Sequence, residues 1–98
     1  MILTLHKKGN RVVAAVCDSY LLGKKVEEGK LQLDLTSDFY SGDEKDDRTV
    51  GDTIRNADSI NLVGEKAVKL GVNEGIIDPE HVKKIGGIPY AQAIIVHE

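Results

Sequence analysis

Cys17 and Asp18 are the residues of this sequence best placed for chemistry, because they follow an apolar run over residues 12–16. Continuous apolarity predicts a strand that is buried on both faces, and functional side chains often gather where such strands end. A nucleophilic cysteine also requires a base and a group that orients the base, and the sequence identifies neither. We therefore expect Cys17 to be a buried structural residue and Asp18 to cap the turn that follows it.

Two amide side chains, Asn61 and Gln92, interrupt segments that are otherwise largely apolar. A buried amide must find hydrogen-bond partners, so each side chain either braces the backbone or contacts a ligand. Bracing is the simpler interpretation. A ligand-binding or catalytic site near Cys17, Asp18, Asn61 and Gln92 is the alternative hypothesis.

Two basic clusters stand out in a chain whose formal net charge is -3. If the fold brings them together, they form a positive strip that can contact RNA phosphates, with Tyr20 or Tyr40 available for stacking. Lysines on turns also keep a small domain soluble and protect exposed strand edges, and this second interpretation is the more common one. The clusters consist of Lys7, Lys8 and Arg11, and of Lys24, Lys25 and Lys30.

Motifs for metals, cofactors and catalysis are missing from the sequence. His6, His81 and His97 share no metal-ligand spacing, and the acidic residues between 43 and 47 lack the spacing of an EF-hand. No glycine-rich phosphate loop or nucleophile elbow occurs. The sequence therefore predicts no catalytic residue, no metal site and no cofactor, and it favours a protein that is not an enzyme.

Length and composition predict one globular domain over residues 1–98, since 41% of the residues are hydrophobic and 30% are charged. The single cysteine excludes an intramolecular disulfide and fits a reducing compartment. No apolar run approaches the roughly 20 residues that cross a bilayer. Met1 is followed directly by a strand-like segment rather than by a signal peptide, so we expect a cytoplasmic protein.

The first half of the chain predicts three strands. Residues 1–5 and 11–17 are two strand-like runs around a turn at Gly9-Asn10, which indicates a hairpin with the second strand in the centre of a sheet. Residues 24–30 are charged and expected to be exposed. Leu31, Leu33 and Leu35 alternate with polar residues, which is typical of a half-buried strand, and residues 37–48 are predicted to form a surface loop.

The second half predicts three helices and a returning strand. The first helix starts at Thr49, and the third starts at Asp78-Pro79 and ends before Gly86-Gly87. Residues 88–96 form the last strand. The fold class is therefore α+β, a small mixed or antiparallel sheet in the order β-β-β-α-α-α-β with the helices packed on one face. The second helix is capped by Asp58 or Ser59, and its apolar face consists of Ile60, Val63, Ala67 and Leu70.

Four segments of the sequence resemble a small archaeal family catalogued as domain of unknown function 424. Their order and spacing match across nearly the whole chain. The resemblance implies an archaeal, cytoplasmic protein and brings no activity and no catalytic residues with it. The segments are Val13-Ala14-Ala15-Val16-Cys17-Asp18, Leu21-Leu22-Gly23-Lys24, Asn61-Leu62-Val63-Gly64-Glu65 and Ile88-Pro89-Tyr90-Ala91-Gln92.

Three functional hypotheses follow from the sequence. The leading one is a non-enzymatic binding or adaptor domain that acts on RNA or on the translation apparatus, because basic clusters are present and an assembled catalytic set is not. The second is a small-ligand protein or enzyme with its site near Cys17, Asp18, Asn61 and Gln92. The third is a structural subunit of a homo-oligomer that pairs through an edge strand.

Overall fold

A computed structural model describes residues 1–97 as two helices and two sheets. The main sheet has six strands in the order β5-β1-β2-β6-β8-β7, and β3 and β4 form a separate hairpin. All neighbours in the main sheet are antiparallel except β2 and β6, which are parallel. The elements are β1 Ile2–Lys8, β2 Arg11–Cys17, β3 Lys25–Glu28, β4 Leu31–Asp34, β5 Asp43–Glu44, α1 Asp47–Asn56, β6 Ser59–Val63, α2 Glu65–Asn73, β7 Lys83–Ile85 and β8 Ile88–Ile94.

The central strand and the first hairpin are confirmed. β1 and β2 pair antiparallel around Gly9, whose φ of 62° is the left-handed conformation that a tight hairpin turn requires. β2 lies between β1 and β6, and its residues from Ala14 to Cys17 are inaccessible to solvent. Burial on both faces explains why this strand is apolar at successive positions rather than at alternate ones.

The two faces of the sheet have different covers. Both helices pack on one face, where Val50 and Ile54 of α1 and Ala67 of α2 contact apolar residues of the sheet. The opposite face is covered at the end near Cys17 by Leu21, Leu33, Leu35 and Tyr40. The helices are therefore on one face, as predicted. None of them, within residues 1–97, is long and apolar enough to cross a membrane.

Residues 1–97 contain two of the three predicted helices, and the second begins later than predicted because residues 59–63 form a strand. Ile60 and Leu62 point towards the helices, and Asn61 and Val63 point to the opposite face, so this segment has the two-residue period of a strand. The spacing of Ile60, Val63, Ala67 and Leu70 imitates a helix. Pairing with β2 on one side and β8 on the other decides the conformation, and α2 begins only at Glu65.

The third predicted helix is also wrong beyond its first turn. Asp78 accepts a hydrogen bond from the Glu80 backbone N–H at 3.0 Å, but the turn that it caps is a single 3-10 turn, Pro79–His81. Residues 83–85 then form β7 rather than a helix. Gly86-Gly87 makes a tight turn with both φ angles positive, which returns the chain antiparallel into β8, and the last strand is confirmed over Ile88–Ile94.

The segment between β2 and α1 differs in part from its prediction. The charged residues before Leu31 are exposed, but they form β3, which pairs with β4 outside the main sheet. The predicted loop over residues 37–48 contains a 3-10 turn and β5. α1 begins at Asp47, two residues before Thr49, because Asp46 is the residue whose side chain caps it, accepting from the Thr49 N–H at 2.8 Å.

Candidate functional site

Asp18 lies where the parallel strands β2 and β6 both end. Its own N–H donates to the carbonyl of Val63 at 3.0 Å, which prolongs the pairing of the two strands. Its carboxylate accepts from the backbone N–H groups of Lys66 at 3.0 Å and Ala67 at 2.8 Å, at the start of α2. Only 2% of Asp18 is exposed. The carboxylate therefore occupies the electropositive end of α2 and leaves no space there for an anionic ligand.

The expectation that Asp18 caps the turn after it is wrong. The turn Ser19–Leu21 has no side-chain cap. Instead, both carboxylate oxygens of Asp18 cap α2, which begins almost fifty positions later in the chain. Capping is the role that the sequence indicated, but its target depends on which strands lie side by side. Local sequence could not reveal that.

Cys17 is enclosed in an apolar cluster with Ile2, Leu21, Leu35 and Val63. Burial, and secondarily the negative charge of Asp18, raises the pKa of the thiol to about 11. The pKa of Tyr40, which packs against the same cluster, is raised by burial to about 12. A thiol with this pKa is protonated at neutral pH, and a protonated, enclosed thiol is a poor nucleophile.

The raised thiol pKa predicts a loss of stability in alkali. The folded protein holds the proton of Cys17 up to about pH 11, whereas the unfolded chain releases it near the ordinary value of 9.0. The resulting contribution is complete below pH 9 and is lost as the pH rises to about 11, which amounts to roughly 2 kcal/mol. Denaturant titrations at pH values across this interval measure the effect.

The variant Cys17→Ala is the control for this prediction. It retains Tyr40, so it is expected to lose stability in alkali with a shallower slope than the natural chain. Equal slopes for the two proteins would contradict the assignment of the effect to Cys17.

Asn61 and Gln92 lie directly opposite each other on β6 and β8 and point to the face away from the helices. Asn61 is half-buried and Gln92 is exposed. Within residues 1–97 neither side chain has a hydrogen-bond partner in the protein, so the bracing interpretation does not describe them. Both amides are available to a ligand.

The amide pair forms the floor of a groove that runs along β8. A cavity of about 210 Å³ lies between the amides and the β3–β4 hairpin. It adjoins cavities of about 650 and 480 Å³ on either side, and Gln92 borders all three. The walls combine apolar and polar side chains. The residues that line the groove beside the amides include Leu31, Gln32, Leu33, Tyr40, Tyr90, His81 and Lys83.

The groove does not include Cys17 or Asp18. Asn61 is paired in register with Ala15, and Cys17 lies two residues further along β2 beneath Leu21 and Leu35. The four residues that the second hypothesis grouped together therefore separate into a buried structural pair and an accessible amide pair.

Tyr90 and Tyr40 are groove residues that the sequence did not identify as partners of the amides. Tyr90 is two positions before Gln92 on β8, so the strand period alone indicates that they share a face. Tyr40 comes from the 3-10 turn Asp38–Tyr40, and no sequence pattern connects that turn with β8.

The two basic clusters lie at opposite ends of β2. Lys7, Lys8 and Arg11 surround the β1–β2 turn, whereas Lys24 and Lys25 follow the far end of β2. Six residue steps along a strand correspond to about 20 Å, so the clusters do not form one strip. Lys24 lies over the ring of Tyr20, 5.4 Å from its centroid, and Lys25 forms an ion pair of 3.6 Å with Glu27.

Two of the three histidines in residues 1–97, His6 and His97, hydrogen-bond to backbone carbonyl groups. Nε2 of His6 lies 2.9 Å from the Phe39 carbonyl, and the two rings stack. Nε2 of His97 lies 2.9 Å from the Ala57 carbonyl. No group of three or more potential metal-ligating side chains converges in this part of the chain.

Comparison with known protein families identifies the family of this chain. The family described as "Protein of unknown function (DUF424)" matches residues 6–96. The chain belongs to the DUF424 family. This membership confirms the resemblance that the four sequence segments indicated, and the DUF424 description names no activity.

The DUF424 fold of this chain is similar to a solved structure. That structure is described as the crystal structure of an uncharacterized conserved protein from Methanopyrus kandleri, with a TM-score of 0.80 and 27% sequence identity. The similarity covers 99% of this chain and 93% of that one. No curated protein matches this DUF424 chain.

Proposed function

We propose that this protein is a non-enzymatic binding module that takes an unpaired base of single-stranded RNA in the groove along β8. The observation that carries the proposal is the pair of unbonded amides, Asn61 and Gln92, opposite each other on the accessible face of the sheet. Each amide offers donors and an acceptor in one plane. Two such groups side by side match the mixed donor and acceptor edge of a nucleobase.

The aromatic residues of the groove support the same ligand class. Tyr90 and Tyr40 border the cavity whose floor is the amide pair. Unpaired RNA bases are typically held by stacking on aromatic rings together with hydrogen bonds to the base edge. Leu31 and Leu33 add apolar walls that restrict water around those hydrogen bonds.

Charge around the groove favours a base over a phosphate as the main contact. Lys83 pairs with Tyr90 in register and borders the same cavity as Gln92, so it is available for one phosphate. Glu80 borders that cavity too, and the whole chain has a net charge of -3. Binding through one or two phosphates predicts a shallow dependence on salt. The basic cluster of Lys7, Lys8 and Arg11 lies about 20 Å from the other end of β2, and this mode of RNA binding does not require it.

Binding is supported over catalysis by the residues that the groove contains. Around the amide pair the groove is lined by amides, phenols and aliphatic side chains, which orient ligands. Glu80, His81 and Lys83 lie at one end of the groove, and within residues 1–97 none of their side chains is hydrogen-bonded to another groove side chain, as an activated nucleophile would require. The enclosed thiol of Cys17 lies outside the groove.

The test is a titration with short single-stranded RNA homo-oligomers at low salt, followed by the side-chain amide and tyrosine signals in NMR. Adenine is expected to bind best, since an amide makes a paired hydrogen bond to its N6 and N7. Gln92→Leu and Asn61→Leu are each expected to weaken binding about tenfold or more. Lys83→Ala is expected to weaken the binding of all RNA sequences alike. It is also expected to reduce the slope of the logarithm of the binding constant against the logarithm of the salt concentration by about one.

Asn73→Leu is the matched control, because Asn73 is an exposed amide at the end of α2, outside the groove. It is expected to bind RNA as the natural chain does. Absence of binding at low salt, or an equal loss in the control, would contradict the proposal. Binding of adenosine monophosphate as tight as that of the oligomers would indicate a mononucleotide ligand instead.

A further inference from the structure

The outer edge of β8 is open beyond the point where β7 ends. β7 pairs with β8 only from Ile88 to Tyr90. On the inner side, the Gly64 N–H donates to the Pro89 carbonyl and the Ile95 N–H donates to the Asp58 carbonyl. Because hydrogen-bonding residues alternate along an antiparallel strand, the backbone groups of Gln92 and Ile94 face outward. Within residues 1–97 no strand pairs with them.

This open edge lacks the usual protection against strand pairing. No charged residue occurs from Gly86 to Val96, although Lys83 and Lys84 stand on the short strand beside it. Monomeric sheet proteins normally place a charge, a proline or a bulge on an exposed edge. Here Ile94 is 79% exposed and Val96 is 83% exposed, the highest values among the large hydrophobic residues of the described chain.

We infer that two copies of this chain pair antiparallel through the edges of β8 about a twofold axis. The strand that pairs with the open edge of β8 comes from a second copy of this chain, because each molecule carries the same neutral, unpaired edge that the other requires. A twofold axis lets identical edges satisfy each other. Pairing buries Ile94 and Val96, the residues whose exposure is otherwise unexplained.

The position of β7 selects the register of this pairing. If Ile94 lies opposite Ile94 of the second copy, Gln92 lies opposite Val96, and no residue among 1–97 of the second copy falls opposite a residue of β8 that β7 already pairs. If Gln92 lies opposite Ile94 instead, Val96 of the second copy falls opposite Tyr90. Lys83 already occupies that position. The favoured register therefore brings the two Ile94 side chains together on the face of the sheet that carries the groove.

The experiment measures the mass of the full chain in solution over about a hundredfold range of concentration, by light scattering or sedimentation. The mass is expected to rise from that of one chain towards that of two. Ile94→Lys, which charges the edge, is expected to raise the dissociation constant at least about tenfold. Leu22→Lys is the matched control, since Leu22 is 40% exposed and follows β2 rather than β8.

Amide hydrogen exchange identifies the surface independently of the variants. The Gln92 and Ile94 amides are expected to exchange at least about tenfold more slowly in concentrated than in dilute protein. The Ile95 amide, bonded to Asp58 within one chain, is expected not to change. A monomer throughout the range would overturn the inference. So would a dimer that survives Ile94→Lys and leaves the Gln92 and Ile94 exchange rates unchanged.

Discussion

Asp18→Ala is expected to reduce the free energy of unfolding by about 3 kcal/mol, because it leaves one buried and one part-buried N–H group of α2 without an acceptor. Those groups belong to Lys66 and Ala67, and both bond the same carboxylate. In a domain of this size the loss corresponds to a fall in melting temperature of about 15 °C. Thermal and urea unfolding of the purified variant measure it.

Asp46→Ala is the matched control for Asp18→Ala. Asp46 caps α1 by accepting from the Thr49 N–H, as Asp18 caps α2, but Asp46 is exposed, so water can replace its carboxylate. Its removal is expected to cost much less stability. Asp18→Asn, which keeps one acceptor, is expected to lie between Asp18→Ala and the natural chain. Equal losses for the two alanine variants would show that burial of the cap does not matter.

Gly64→Ala is expected to destabilise the protein by about 3 kcal/mol or more, through backbone strain and a steric clash. Gly64 has a φ of 108° and a ψ of 160°, a conformation that is open almost only to glycine. A β-carbon at this position would also lie 2.6 Å from Oδ2 of Asp18. Urea unfolding of the variant checks the size of the loss.

Gly75→Ala separates the two causes. Gly75 also has a positive φ, 75°, but a β-carbon there meets no atom within 4 Å, so only strain of about 1 kcal/mol is expected. The double variant Asp18→Ala, Gly64→Ala tests the clash directly, since it removes Cγ and Oδ2 of Asp18, the two atoms nearest to the added methyl group, although Cβ stays at 2.8 Å. Gly64→Ala is expected to cost less in that background, and strict additivity of the two losses would contradict the clash.

The sequence predicted those elements whose pattern is local. Gly9-Asn10 between apolar runs identified the first hairpin, and continuous apolarity identified β2 as central. Residues 59–63 were misassigned because Ile60 and Val63 also fit a helical spacing with Ala67. The conformation there is decided by β2 and β8, and β2 lies about 45 residues earlier in the chain.

The sequence indicated which residue types could form the candidate site, but it could not indicate which of those residues lie next to each other. Asn61 and Gln92 attracted attention because each interrupts an apolar segment, yet only the register of β6 with β8 makes them neighbours. The register of β2 with β6 separates the amides from Cys17, whose place beneath Leu21 and Leu35 depends on a turn and a hairpin outside the main sheet. Strand pairing is the information that a single sequence lacks.

The remote cap of α2 has a consequence for the order in which the chain folds. α2 has only nine residues, and its N-cap, Gly64, has no side chain to cap it, so the helix is too short to be stable alone. Its cap arrives from the end of β2, and closing that long loop is slow compared with forming a turn. α2 is therefore expected to become helical only after β2 and β6 have joined, which makes this helix a product of sheet assembly rather than its nucleus.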